Sequence, residues 1–271
     1  MEERYIVNKV NDVNEKYTIN TVKNAMQILR LFTKNFPEWT LTEISRERGL
    51  EISHTKRLIN TLTNYGYLEK NPVTKKYSLS LAIVRLSGVL TTTMDIYNEA
   101  RPILSKLVEK FGENVHLGVL EELNVLYLDK FESLYSSRLA THVGKRNPAY
   151  CTGCGKVLLA FKPEYEQQEL LKKISYQGFE QFASKTIQTV EDLKKDLDII
   201  AKNGYAISID EIEDGFTSIA VPILDFSEKV IAAISITGSS DKIKISPHLN
   251  DLIKCSEQIS EKLGYLLKVE R

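Results

Sequence analysis

The chain has 271 residues, 42% hydrophobic and 27% charged, with 36 basic side chains balanced by 36 acidic ones. That composition belongs to a folded globular protein and excludes a disordered one, while the length leaves room for one small domain and one of ordinary size. No apolar run reaches membrane-spanning length, residues 1–18 lack the apolar centre of a secretory signal, and three cysteines without an export signal point to a reducing compartment, the cytoplasm.

Residues 1–19 alternate charged and polar groups and are expected to form a flexible arm. A helix is predicted over 21–32, where Val22, Ala25, Ile28, Leu29 and Phe32 form an apolar stripe. Thr40 and Glu43 have the spacing of a capping box for a helix over 41–48, which Gly49 closes. Ser53 is the expected cap of the next helix, over 53–64. On that helix Thr55, Leu58, Ile59 and Leu62 share one face. Ser53, Arg57, Asn60 and Asn64 lie opposite, flanked by His54, Lys56 and Thr61. Two short strands, 67–70 and 76–79, surround Asn71-Pro72 as a hairpin that carries Lys70, Lys75 and Lys76. Helix, turn, helix and basic hairpin make a winged helix-turn-helix, mainly α with a β-hairpin wing, over residues 20–80. Its polar helix face suits the major groove of double-stranded DNA.

Charge is distributed to match. Residues 20–90 hold 11 Lys/Arg against five Asp/Glu, whereas residues 91–271 carry five net negative charges. A basic front supplies phosphate affinity by counterion release, and an acidic rear resists lying on the same duplex. In the expected docking Arg57, Asn60 and His54 approach base edges while Lys56, Lys70, Lys75 and Lys76 hold phosphates.

A linker helix is predicted over 81–100, interrupted at Thr91-Thr92-Thr93, with a further helix over 94–111 that kinks or restarts at Pro102. The apolar stripe of the linker offers a surface to a second copy, and two-fold dimers read near-palindromic DNA. From Asn114 the pattern turns to strands, at 115–120, 125–131 and 138–143. Helices follow at 155–161, 163–173 and 190–203, then strands at 205–209, 217–224 and 229–237, then a helix at 248–263. Runs of strands separated by runs of helices make residues 101–271 an α+β domain with a largely antiparallel sheet.

Two segments of that domain suit a ligand. Residues 150–160 crowd Cys151, Thr152, Gly153, Cys154 and Gly155 into a loop that opens an apolar helix, where bare N–H groups attract an anion such as a carboxylate. Tight packing of helix on sheet would ask for the same glycines. The strand at 230–237 puts Ile231, Ala233, Ser235 and Thr237 on one face and Val230, Ala232, Ile234 and Ile236 on the other. Its hydroxyl face suits an orienting pocket, or equally the wet side of an edge strand.

Other chemistries have weaker support. Cys151-x-x-Cys154 allows a redox pair or half a zinc site, with His116 and His142 the nearby candidates for completing it. Gly155-Lys156 is not a phosphate loop, because Tyr150 stands at its first glycine and Val157 at its Ser/Thr. Asp210, Glu211, Glu213 and Asp214 could serve as acid–base carboxylates, but a solvated turn before Gly215 is the better explanation. No nucleophile elbow or metalloprotease spacing occurs. Neither catalysis nor a cofactor is expected.

The chain resembles the IclR family of bacterial transcription regulators from about residue 20 onward. At the front the resemblance lies in Ala25, Ile28-Leu29, Leu41-Thr42-Glu43-Ile44, Gly49-Leu50, Thr55, Arg57-Leu58, Leu62, Gly66-Tyr67-Leu68 and Tyr77-Ser78-Leu79. At the rear it lies in Val115-His116-Leu117, Thr152, Gly155-Lys156, Leu159-Ala160, Gly204-Tyr205, Glu211, Gly215, Ile219-Ala220 and Pro222-Ile223. The resemblance implies a winged helix, a linker helix and a GAF-like effector domain, assembled as a homodimer or homotetramer. Its promoter binding would respond to a small organic acid. The effector positions it implies are Gly153, Cys154, Ser208, Ser218, Ser235 and Thr237. Ser208 is neutral where members that bind small keto acids tend to be acidic, which leaves the effector class open.

Overall fold

The computed structural model describes residues 17–134, 136, 139 and 141–266, so the predicted N-terminal arm lies almost wholly outside the described residues. The chain divides into two units, Met1–Thr93 and Met94–Arg271.

In the first unit α1 (Asn20–Leu29) precedes a two-residue strand β1 (Glu38–Trp39). The α1 helix is shorter than its apolar stripe predicts, but Leu31 and Phe32 still turn into the core beyond its end. Helix α2 (Leu41–Arg48) is capped reciprocally: the Thr40 hydroxyl accepts from Glu43 N at 3.3 Å, and the Glu43 carboxylate accepts from Thr40 N at 2.7 Å. Those hydrogen bonds hold the Glu43 carboxyl below its usual range. Gly49 closes the helix at φ +60°, the left-handed position that favours glycine.

Helix α3 (Ile52–Asn64) corrects one expectation, because Glu51 and not Ser53 occupies the cap. Leu50 N bonds back to Ser45 O, which shortens the turn; Glu51 O then receives both the N–H and the hydroxyl of Thr55. Ser53 is left exposed in the first turn. Thr55, Leu58, Ile59 and Leu62 are buried as their spacing requires, against Ile28, Ile44, Leu68 and Tyr77. Strands β2 (Leu68–Lys70) and β3 (Tyr77–Leu79) pair antiparallel, and β1 adds to β3. At the wing tip the Asn71 side chain accepts from Val73 N and Thr74 N, and Lys75 takes φ +60°.

Helix α4 (Leu81–Thr93) continues through the three threonines that were expected to interrupt it. Their hydroxyls bond back one turn to carbonyls between Ser87 and Leu90, inside the helix they belong to. Apolar side chains lie all around α4, with Leu81, Val84, Leu86, Val89 and Leu90 exposed.

The second unit begins with α5 (Asp95–Phe111). It runs unbroken through Pro102, so no fresh start occurs there; Ala100 and Leu104 on either side are fully buried. Six strands follow in the sheet: β4 (Asn114–Glu121), β5 (Asn124–Phe131), β6 (Arg146–Pro148), β7 (Ala206–Ile209), β8 (Phe216–Leu224) and β9 (Val230–Ser239). Their order is β6-β5-β4-β9-β8-β7, and every neighbouring pair is antiparallel. The strand predicted over 138–143 is not found there. Residues 138 and 140 lie outside the described residues, Leu139 and 141–143 have no strand, and β6 pairs with β5 a few residues later.

Helices α6 (Gly153–Ala160), α7 (Glu164–Gln177) and α8 (Val190–Asn203) cover one face of the sheet, and α5 with α9 (Ile245–Lys262) cover the other. Strand β9 is central. Ala233 packs towards α6, whereas Ala232, Ile234 and Ile236 pack towards α5 and α9. The predicted division of its faces holds from Ala232 to Ile236, but Val230 packs with the α6 side, because the register shifts at the start of the strand. The edge-strand alternative falls, because Ser235 is buried between β4 and β8.

Candidate functional site

The helical face that suits DNA is open. Ser53, Lys56, Arg57 and Asn60 are exposed along α3 and His54 is half-buried, while Lys70 and Lys75 are exposed on the wing and Lys76 is half-buried. The Lys70 ammonium lies 5.2 Å from the centre of the Tyr77 ring. The buried Thr55, Leu58, Ile59 and Leu62 fix the rotation of α3, so the polar side chains have one direction to face. A rigid helix carrying exposed amide, hydroxyl and guanidinium groups, beside a hairpin carrying ammonium groups, can hydrogen-bond base edges and neutralise phosphates.

In the second unit all six predicted effector positions line one pocket. Gly153 and Cys154 open α6, Ser208 stands on β7, Ser218 on β8, and Ser235 and Thr237 on β9. Strand register explains the convergence. Asn114, Thr237, Ser218 and Ser208 are cross-strand partners in one row over β4, β9, β8 and β7. His116, Ser235 and Ala220 form the next row on the same face. The Thr237 hydroxyl donates to Ser218 Oγ at 2.9 Å.

The N-terminus of α6 lies beside this row. Thr152 caps the helix by accepting from Gly155 N at 3.1 Å, which leaves the Gly153 and Cys154 N–H groups without an intrahelical acceptor. The two glycines have separate reasons. A Cβ on Gly155 would run into the backbone of Ala149 and the Thr152 hydroxyl, so this residue serves packing. A Cβ on Gly153 would reach within 3.0 Å of Ser218 Oγ and 3.2 Å of Ala220 Cβ, narrowing the pocket side.

Sequence reasoning did not place His116, Tyr127, Thr141 and Asn147 in this pocket, which they line beyond Ser235. His116 Nε2 lies 2.9 Å from Thr141 Oγ1, and its ring packs on Tyr127 at 5.0 Å. Burial, with Lys130 nearby, holds the imidazole neutral by lowering its pKa to about 3. The alternation of β4 places His116 on the sheet face towards α6, but its register against Thr141 depends on contacts distant in sequence.

Lys156 and Glu211 were also missed as a pair. Lys156 is 1% exposed, and its ammonium donates to Glu211 Oε1 at 2.6 Å and lies 2.7 Å from Asp196 Oδ2 and 3.3 Å from Ile207 O. The acidic cluster is therefore not one solvated turn. Asp210 accepts from Gly215 N and Asp214 from Ser184 N, both as turn groups, but Glu211 is buried and lines the pocket. Burial pushes its carboxyl above the usual range, against the pull of Lys156.

The cysteine alternative finds little support. Cys151 and Cys154 are buried free thiols, and burial raises both, Cys154 to about 12, so neither is a ready thiolate. Among the described residues no three His, Cys, Asp or Glu side chains gather as a metal would need, and no helix is long and apolar enough to cross a membrane.

Comparison with known proteins joins the two units. Residues 21–72 match the model of the IclR helix-turn-helix domain, and residues 89–261 match that of the bacterial transcriptional regulator IclR C-terminal domain. The HTH-type transcriptional regulator XynR of Escherichia coli is 32% identical over 250 residues, covering 91% of this chain and 98% of the relative. The crystal structure of the Thermotoga maritima IclR aligns over 92% of this chain and all of that one, with 29% identity and a TM-score of 0.74. An IclR homolog from Microbacterium hydrocarbonoxydans, solved in complex with 4-hydroxybenzoate, shares the fold at a TM-score of 0.81 and 24% identity, covering 90% of this chain and 98% of its own.

Proposed function

The chain belongs to the IclR family of bacterial transcriptional regulators, and from that premise we propose that a small organic acid is the signal that modulates its binding to DNA. The observation that carries this reading is the meeting of a bare helix N-terminus with a row of hydroxyls in one pocket. Peptide N–H groups at a helix start favour a carboxylate, and Ser208, Ser218, Ser235 and Thr237 orient the rest of the molecule. The homolog crystallised with 4-hydroxybenzoate supports the same class of ligand. Binding must favour one arrangement of the DNA-reading units over another, since a ligand indifferent to both shifts nothing.

On the DNA side, Arg57, Asn60 and His54 approach base edges, Ser53 lies at the start of the reading helix, and Lys56, Lys70, Lys75 and Lys76 hold phosphates. The exposed apolar surface of α4 supports pairing with a second copy, as a homodimer or within a homotetramer. A regulator that reads promoters is placed in the cytoplasm by this reading.

The test is fluorescence anisotropy of the purified protein on the DNA just upstream of its own gene, across several salt concentrations and then with organic acids added. Binding should exceed that of a scrambled duplex and fall steeply with salt. Arg57→Ala should weaken operator binding by about 1–3 kcal/mol; unchanged affinity would remove Arg57 from the reading surface. Ser235→Val combined with Thr237→Val should abolish the effector response and keep DNA binding. A response that survives the pair would move the pocket elsewhere.

A further inference from the structure

Resting on the reading of this pocket as the effector site, we propose that Glu211 selects the ligand: the pocket admits a monocarboxylate bearing a hydroxyl donor and rejects the matching dicarboxylate. Glu211 lines the same pocket as Gly153, Cys154 and Ser235, yet only 7% of it is exposed. Its Oε1 is taken by Lys156, whereas Oε2 is buried and accepts no hydrogen bond. The Ser208 hydroxyl is near enough to stabilise the carboxylate but gives Oε2 no well-aligned bond. A buried carboxylate oxygen left without a donor gains from any ligand that brings one.

Charge sets the second half of the rule. No lysine or arginine lines the pocket among the described residues, and the Lys156 ammonium is already shared between Glu211 and Asp196. The helix N-terminus accommodates one carboxylate. A second would meet Glu211 with no cation lining the pocket to offset it: Lys130, behind His116, is paired with Glu132 and bonds Thr141 O, and His116 itself is neutral. Specificity then comes from the repulsion as much as from the new hydrogen bond.

The experiment is calorimetric titration of the full-length protein with butanoate, pentanoate and hexanoate, their ω-hydroxy derivatives, and succinate, glutarate and adipate. In at least one length series the hydroxy acid should bind about tenfold or more tighter than the plain acid, with the dicarboxylate weakest. In Glu211→Gln, whose amide oxygen still accepts from Lys156, the hydroxyl preference should shrink and the dicarboxylate should gain. Equal binding of plain and hydroxy acids, a dicarboxylate that binds as well as either, or no binding across the set overturns the proposal. These comparisons are made on the unaltered chain, so they do not depend on how the variant folds. If Ser235→Val leaves hydroxy-acid binding untouched, the pocket reading itself is at fault, and the role given to Glu211 goes with it.

Discussion

Replacing Lys156 with methionine is expected to cost about 3–5 kcal/mol of folding stability, although methionine fits the space and is apolar. The loss would come from what the lysine leaves behind. Glu211 and Asp196 both sit on its ammonium, at 2.6 and 2.7 Å, and Glu211 is buried with no other cation at hand. Two carboxylates facing each other without that charge must be protonated or rehydrated, and either route disrupts the joint between α6, α8 and the turn after β7. A double variant, Lys156→Met with Glu211→Leu, should recover much of the loss, because Asp196 is partly exposed and can turn to water. Urea unfolding of the four proteins in the cycle decides. A Lys156→Met protein as stable as the parent would mean that the triad is not coupled.

Gly155→Ala is expected to be the second severe change, for a different reason. Alanine usually favours a helix over glycine by about 1 kcal/mol, but here the added methyl would overlap backbone atoms of Ala149, which has no rotamer to yield. Ala149 belongs to the tight turn Ala149–Cys151, so the turn must shift, and Thr152 with it. We expect a net loss of about 1–3 kcal/mol, together with loss of effector binding as the α6 cap moves. Gly153→Ala meets side chains and should spare stability more than ligand affinity. Thermal unfolding alongside effector titration separates the two; a Gly155→Ala protein with both properties intact would show that the turn has slack.

What was legible in the sequence was mostly local or periodic. The Thr40–Glu43 box could be read from spacing because its partners lie within one helical turn. The faces of α3 and β9 could be read because burial follows a fixed repeat. The misplaced cap at Ser53 shows the limit of local rules, since the Ser45–Leu50 closure set the cap of α3 two residues earlier, at Glu51. Pro102 shows a second limit: burial of Ala100 and Leu104 keeps α5 whole around a residue that alone would break it. The pocket was half visible. Its small-residue loop and hydroxyl strand stood out by composition, and the resemblance added Ser208 and Ser218. The His116 wall and the Lys156–Glu211 pair were not visible, because a lysine or glutamate is read as surface until a distant partner is known to be facing it.

The strand order also sets a timetable. Strand β9 is the last of the six to leave the ribosome, yet it lies between β4 and β8, the sole bridge joining β4-β5-β6 to β7-β8. Until residue 230 and those after it are made, the nascent sheet is two detached pieces, and Ser235 and Thr237 do not yet exist to complete the pocket. The DNA-reading unit is finished long before, since its last helix ends at Thr93. Each newborn molecule thus passes through an interval in which its helix-turn-helix unit is complete and its pocket is not.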